Sequence, residues 1–165
     1  METDKIRYKR RLYTDIEKRI EDKEIIVVTG MRRVGKTTLL RMIYDEIKSK
    51  NKLFLDIENT INQKIFEEED YDNIWANLKP FGITDLEKAY VFLDEIQSKP
   101  DIVKSIKYLY DHYDIKFFLT GSSSFYLKNL FPESLAGRKN IFELYPLNFS
   151  EFLMFKEQKK EFYFL

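Results

Sequence analysis

Residues Gly30-Met31-Arg32-Arg33-Val34-Gly35-Lys36-Thr37 match G-x-x-x-x-G-K-[ST] at every fixed position, and each position in that pattern has its own task. Two glycines, lacking Cβ, let the backbone curl tightly and approach a phosphate closely. The loop amides then converge on the anion, and the positive end of a helix starting at Lys36 adds to the field. Lys36 has the reach and charge for β- and γ-phosphates, and the Thr37 hydroxyl suits Mg²⁺. The nucleotide-contacting stretch is therefore expected to be Gly30, Met31, Arg32, Arg33, Val34, Gly35, Lys36, Thr37 and Thr38. Arg32 and Arg33 have two readings, phosphate or partner contacts and plain solvated loop residues.

Further along, the apolar run AYVFL ends in Asp94 and Glu95. By itself this pair reads equally well as a strand meeting solvent. With a phosphate loop upstream, Asp94 is expected to hold Mg²⁺, mostly through water, and Glu95 to orient or deprotonate the attacking water. GTP is disfavoured. Asp94 is followed by Glu95-Ile96-Gln97 rather than by D-x-x-G, and Asn51-Lys52-Leu53-Phe54 lacks the aspartate of a guanine reader. The expected ligands are ATP and Mg²⁺.

Composition removes most other chemistries. There is no cysteine and one histidine, His112, so disulfides, thiol nucleophiles, sulfur-ligated metals and His-based triads are set aside. The 165 residues hold 28 basic and 28 acidic side chains, so no net field draws the chain to nucleic acid or to an acidic membrane. No apolar run reaches the ~18 residues of a membrane span, and the N-terminus has no apolar signal core. The expected location is the cytoplasm, with no membrane partner.

The elements that must position these residues alternate between strand and helix. Residues 5–23 read as helical, with Leu12, Ile16 and Ile20 four apart. Ile25–Thr29 is a β-branched run with no polar face, as in a parallel strand covered on both sides. Residues Lys36 to Lys50 carry a helical apolar stripe of Leu39, Leu40, Ile43 and Ile47. Residues 52–57, 89–93, 115–120 and 141–144 read as further strands. Residues 60–80 read as acidic and helical, and Pro100 opens a helix bearing Ile102, Ile106 and Leu109. This order predicts an α/β fold, a three-layer α/β/α sandwich with a five-stranded parallel sheet of the P-loop NTPase type.

TGMRRVGKTTLL, VFLDEIQ, FFLTGSSS, SLAGR and ELYPLNFSEFL, in that order, resemble a group of prokaryotic AAA-superfamily ATPases. In that group an ATPase core is usually followed by a winged-helix region and a C-terminal domain of unknown function. The likeness covers residues 8–155. It implies a helical lead-in at 1–24, an AAA-like core at 25–155 and the start of a following region at 156–165. Because such proteins continue further and place a helical lid over the nucleotide, the chain is expected to be a fragment or a shortened product without that lid.

The resemblance also implies roles for individual residues. The segment 120–123 occupies the place of a γ-phosphate sensor, with Ser122 the first candidate and Thr120 the second; the alternative is a helix-capping turn. Arg138 falls where an arginine finger would act on a neighbouring subunit's nucleotide, implying a homo-oligomer; the alternative is a surface arginine after a glycine turn. Gln97 belongs to the DEIQ string and receives no role.

Other features read as ordinary. Glu67 to Asp70 is a solvated helix face, His112 is structural, and the basic stretch 5–11 is a solvated helix end rather than a nucleic-acid contact. The leading expectation is an ATP-hydrolysing switch or motor core, with Glu95, Ser122 and Arg138 as its catalytic set. The rival is an ATP-dependent binding module that does not hydrolyse. A small-molecule kinase lacks an acceptor site. Replacing Glu95 with Gln separates the first two, since it traps ATP under hydrolysis and changes little under pure binding.

Overall fold

The computed structural model describes residues 8–122 and 135–161. Helix α1 (Arg11–Glu17) leads into strand β1 (Ile25–Thr29), helix α2 (Lys36–Glu46) and strand β2 (Lys52–Asp56). Helices α3 (Thr60–Lys64) and α4 (Tyr71–Leu78) precede β3 (Ala89–Asp94), α5 (Ile102–His112), β4 (Ile115–Gly121), β5 (Lys139–Glu143) and α6 (Phe149–Glu161). All five strands run parallel in the order β2-β3-β4-β1-β5, the sheet that the alternation predicts.

The side-chain period of a strand divides this sheet into two faces. Ile25, Val27, Val91, Leu93, Phe117 and Leu119 meet α4 and α5 on one face. Ile26, Val28, Tyr90, Phe92 and Phe118 meet α1 and α2 on the other, where Phe92 stacks on Phe118 with centroids 4.3 Å apart. The three central strands are buried along their whole length, which is why they carry no alternating polar face.

Two helices end earlier than their apolar periodicity predicts, and lysines account for both. The 5–23 helix narrows to α1 because Lys116, fully buried on β4, donates from Nζ to the carbonyls of Arg19, Asp22 and Glu24. The Arg19 carbonyl is thereby committed to an ammonium instead of a further helical turn. Burial pushes the Lys116 pKa down to about 8. Residues 5–7 of that expected helix lie outside the described residues. The Lys36–Lys50 helix stops at Glu46, since Lys52 Nζ takes the carbonyls of Tyr44 and Ile47 at 2.7 and 2.6 Å, and Ile47 turns extended.

The acidic stretch 67–70 is irregular chain between α3 and α4 rather than a helix face: the Asp70 carboxylate caps α4 by accepting the Asp72 N–H at 3.0 Å. His112 ends α5, stacked on Tyr108 with centroids 4.0 Å apart, a structural placement. Asn51, weighed as a guanine reader, instead holds the 84–87 loop, donating to the Thr84 and Glu87 carbonyls and accepting the Thr84 N–H.

Candidate nucleotide-binding site

Parallel strands put all their C-terminal ends on one edge, and open α/β sheets bind ligands there. The register lines up Thr29 with Gly121 and Leu93 with Leu119. The loop leaving β1, the acids ending β3 and the polar end of β4 are therefore neighbours despite their separation in sequence.

The phosphate loop connects β1 to α2. Gly30 (φ 146°), Arg33 (φ 65°) and Gly35 (φ 102°) all have positive φ, the conformations that turn successive amides to one side. Gly30 has a steric reason for being glycine. A Cβ there would lie 2.2 Å from the Leu144 carbonyl oxygen, which is held beside the loop because the Leu144 N–H donates to Thr29 O at 2.7 Å. Gly35 caps α2, and its carbonyl accepts the Leu39 N–H at 2.9 Å.

Lys36, though charged, is only 4% exposed. Its Nζ donates to the carbonyls of Gly30 and Met31 at 3.2 and 3.0 Å and lies 3.9 Å from Glu95 Oε1. Met31, Arg32, Arg33 and Thr38 face solvent, while Val34 and Thr37 are half-buried.

Asp94 is 5% exposed at the end of β3, where the fully buried Thr120 hydroxyl donates to its Oδ1. The same hydroxyl accepts the Glu95 N–H at 2.9 Å. Glu95 itself is left-handed, at φ 54° and ψ 48°, a conformation that costs a non-glycine residue of order 1 kcal/mol or more and that clusters at functional sites. Glu95 Oε2 accepts from Ser122 Oγ and from Gln97 Nε2. Ser122 closes the described part of the sensor segment; Ser123 lies outside the described residues.

Arg138 sits at the other end of the sheet. Its carbonyl accepts the Ile25 N–H at 2.7 Å where β1 begins, roughly 16 Å of strand from the loop. Its guanidinium grips Asp111 in a two-pronged pair, at 2.9 and 3.3 Å. Within one chain it does not meet the phosphate loop.

One participant corrects the expected solvated helix end at 5–11: the Arg10 side chain is only 13% exposed. Arg10, ahead of α1, donates to Val34 O in the phosphate loop at 3.2 Å and to Tyr145 O at 2.8 Å, and it pairs with Glu151 at 3.0 Å. Those contacts bridge segments far apart in the chain, beyond the reach of any local pattern.

A family model described as an AAA domain matches residues 22–153. The chain belongs to that family. This AAA domain is of the nucleotide-binding ATPase type, and it is 38% identical over 146 residues to an uncharacterized protein of Methanocaldococcus jannaschii, covering 86% of this chain and 31% of that protein. It is 31% identical over 134 residues to one of Haemophilus influenzae, covering 78% of this chain and 33% of that one. The chain thus spans about a third of the length of these relatives.

Among solved structures, it is similar in fold to the Aeropyrum pernix ORC1 protein in complex with DNA, with a TM-score of 0.66 at 11% identity, over 90% of this chain and 48% of that one. It is likewise similar to the Pif1 helicase from Candida albicans, with a TM-score of 0.61 at 13% identity, over 87% of this chain and 41% of that one. No described helix is long and apolar enough to cross a membrane.

Proposed function

We propose that this AAA domain binds ATP with Mg²⁺ and hydrolyses it, as the switch or motor core of a larger assembly. The observation that carries the reading is the single polar cluster at the sheet's C-terminal edge, in which Lys36 Nζ lies 3.9 Å from Glu95 Oε1. A phosphate cradle and a carboxylate base are thereby adjacent. On ATP binding, Lys36 exchanges its two loop carbonyls for phosphate oxygens, and the loop amides with the α2 N-terminus take the remaining charge. Glu95 accepts the proton of the attacking water. Ser122, hydrogen-bonded to Glu95, senses the γ-phosphate, and Thr120, hydrogen-bonded to Asp94, supports the magnesium-binding acid.

The donor set suits Mg²⁺, a hard cation that takes oxygen ligands and keeps several waters. A threonine hydroxyl (Thr37) and a nearly buried carboxylate (Asp94) would hold it. When bound, Mg²⁺ neutralises charge developing on the phosphates.

Because Arg138 lies at the opposite end of the sheet, its finger role requires a second subunit. A DNA or protein client belongs to the same proposal in coarser form; the ORC1 similarity is one of fold.

Calorimetry with ATP and with GTP in Mg²⁺, followed by phosphate release from the same samples, tests the reading. Micromolar ATP binding, lost by at least 100-fold in Lys36→Ala, with slow phosphate release, is expected. Binding without any release would favour the non-hydrolysing module, and no binding at all would remove both.

A further inference from the structure

Gln97 is left without a task by the chemistry above, yet its side chain is fully engaged. It lies in the single helical turn Ile96–Ser98, directly after Glu95. Its Nε2 donates to Glu95 Oε2 and, at 3.1 Å, to Ser122 Oγ, while its Oε1 accepts the Ser122 N–H at 3.3 Å. The amide orientation is fixed by charge: reversed, its oxygen would face the Glu95 carboxylate. Ser122 Oγ, accepting from Gln97, donates its own hydrogen bond to the same Glu95 Oε2. Gln97, Ser122 and Glu95 thus form a closed triangle joining the end of β3 to the end of β4.

The triangle treats the two carboxylate oxygens unequally. Oε2 takes both donors; Oε1 faces the phosphate loop, 3.9 Å from Lys36 Nζ. The Glu95 backbone is pinned as well, through its N–H on Thr120 Oγ1 at 2.9 Å. A flexible glutamate is thereby held at both ends, presenting one oxygen to the side where the γ-phosphate and its attacking water would lie.

We infer that Gln97 is a positioning residue for ATP hydrolysis, fixing Glu95 Oε2 so that Oε1 receives the water proton and tying that geometry to Ser122. The inference rests on the proposed hydrolytic role of Glu95. A residue acting this way changes turnover and leaves ground-state binding alone. One that merely packs the turn changes stability instead.

The test measures kcat, KM and ATP affinity for Gln97→Met, Gln97→Glu, Glu95→Gln and the double variant Glu95→Gln/Gln97→Met, with melting temperatures to establish folding. Gln97→Met keeps the volume and loses the hydrogen bonds. It is expected to lower kcat roughly 10- to 100-fold, the scale set by small misplacements of a reacting group, with KM and affinity within about twofold of wild type. Gln97→Glu keeps the shape, turns a carboxylate towards Glu95 and is expected to lose at least as much. In the Glu95→Gln background, Gln97→Met is expected to remove nothing further, because both act through one group.

Wild-type kcat in either Gln97 variant, or an undiminished loss in the Glu95→Gln background, overturns the inference while leaving hydrolysis standing. Full hydrolysis by Glu95→Gln, or ATP binding without phosphate release in the wild type, overturns the hydrolytic reading first and this inference with it.

Discussion

The hydroxyl of Thr120, on β4, donates to the carboxylate of Asp94, on β3, and the same oxygen accepts the N–H of Glu95. One buried side chain therefore sets both acids of the site. Thr120→Val keeps the shape and leaves a buried carboxylate oxygen and an amide without partners. The expected cost is about 2 kcal/mol of stability, read by denaturant unfolding. Thr120→Ser, which keeps the hydroxyl, is expected to recover most of it. Equal stability of wild type and the valine variant would show that the contact contributes nothing.

Gly30 faces the Leu144 carbonyl at a distance that no Cβ can share. Gly30→Ala must move the loop or the segment after β5, and it strains φ 146° as well. We expect a loss of at least about 3 kcal/mol, with weakened ATP binding; a Gly82→Ala control shares the positive-φ strain (φ 96°) but meets no atom within 4 Å, so the difference between the two reports the close approach. If both variants unfold at the same denaturant concentration, the close approach is not a constraint.

Arg10 and Glu151 form a nearly buried ion pair, 13% and 8% exposed at the side chains, joining the start of α1 to α6. Burial alone would raise the Glu151 pKa. The hydrogen bond from Arg10, the Asn148 and Arg11 N–H groups and the Arg10 charge outweigh it, and the net shift is downward from 4.5. A lowered folded-state pKa contributes stability that is present above the unfolded value and fades as pH falls through the folded one. Glu151→Gln is therefore expected to cost about 3 kcal/mol at pH 7, with the gap to wild type shrinking below about pH 4.5. A gap independent of pH would mean that the charge on Glu151 is not what stabilises the junction.

Arg138 grips Asp111 at the sheet end away from the phosphate loop. If it acts on a neighbour's nucleotide, Arg138→Ala binds ATP normally and loses turnover by roughly 10³-fold. Mixing it with Lys36→Ala, which cannot bind ATP and still carries Arg138, should then restore phosphate release. Without restoration, Arg138 is a surface partner of Asp111 and nothing more.

What the sequence determined by itself was local. The phosphate loop is a contiguous string whose glycines, lysine and threonine act through their own backbone and reach, so its type and place were readable. The three buried central strands announce themselves as apolar runs, and the half-exposed edge strands as shorter apolar stretches set between helices, so five strands and a parallel α/β sheet were readable too. The tertiary structure decided what depends on contacts across the sheet. Lys116 and Lys52 claimed the Arg19 and Tyr44 carbonyls, which helical periodicity alone would have spent on longer helices. Strand register brought Thr120 to Asp94, and Gln97 with Ser122 to Glu95. Arg10 reached a loop 24 residues on and a segment 135 residues on. Such pairings leave no mark on either local sequence, because a hydrogen bond fixes where two groups meet and not how far apart they lie along the chain.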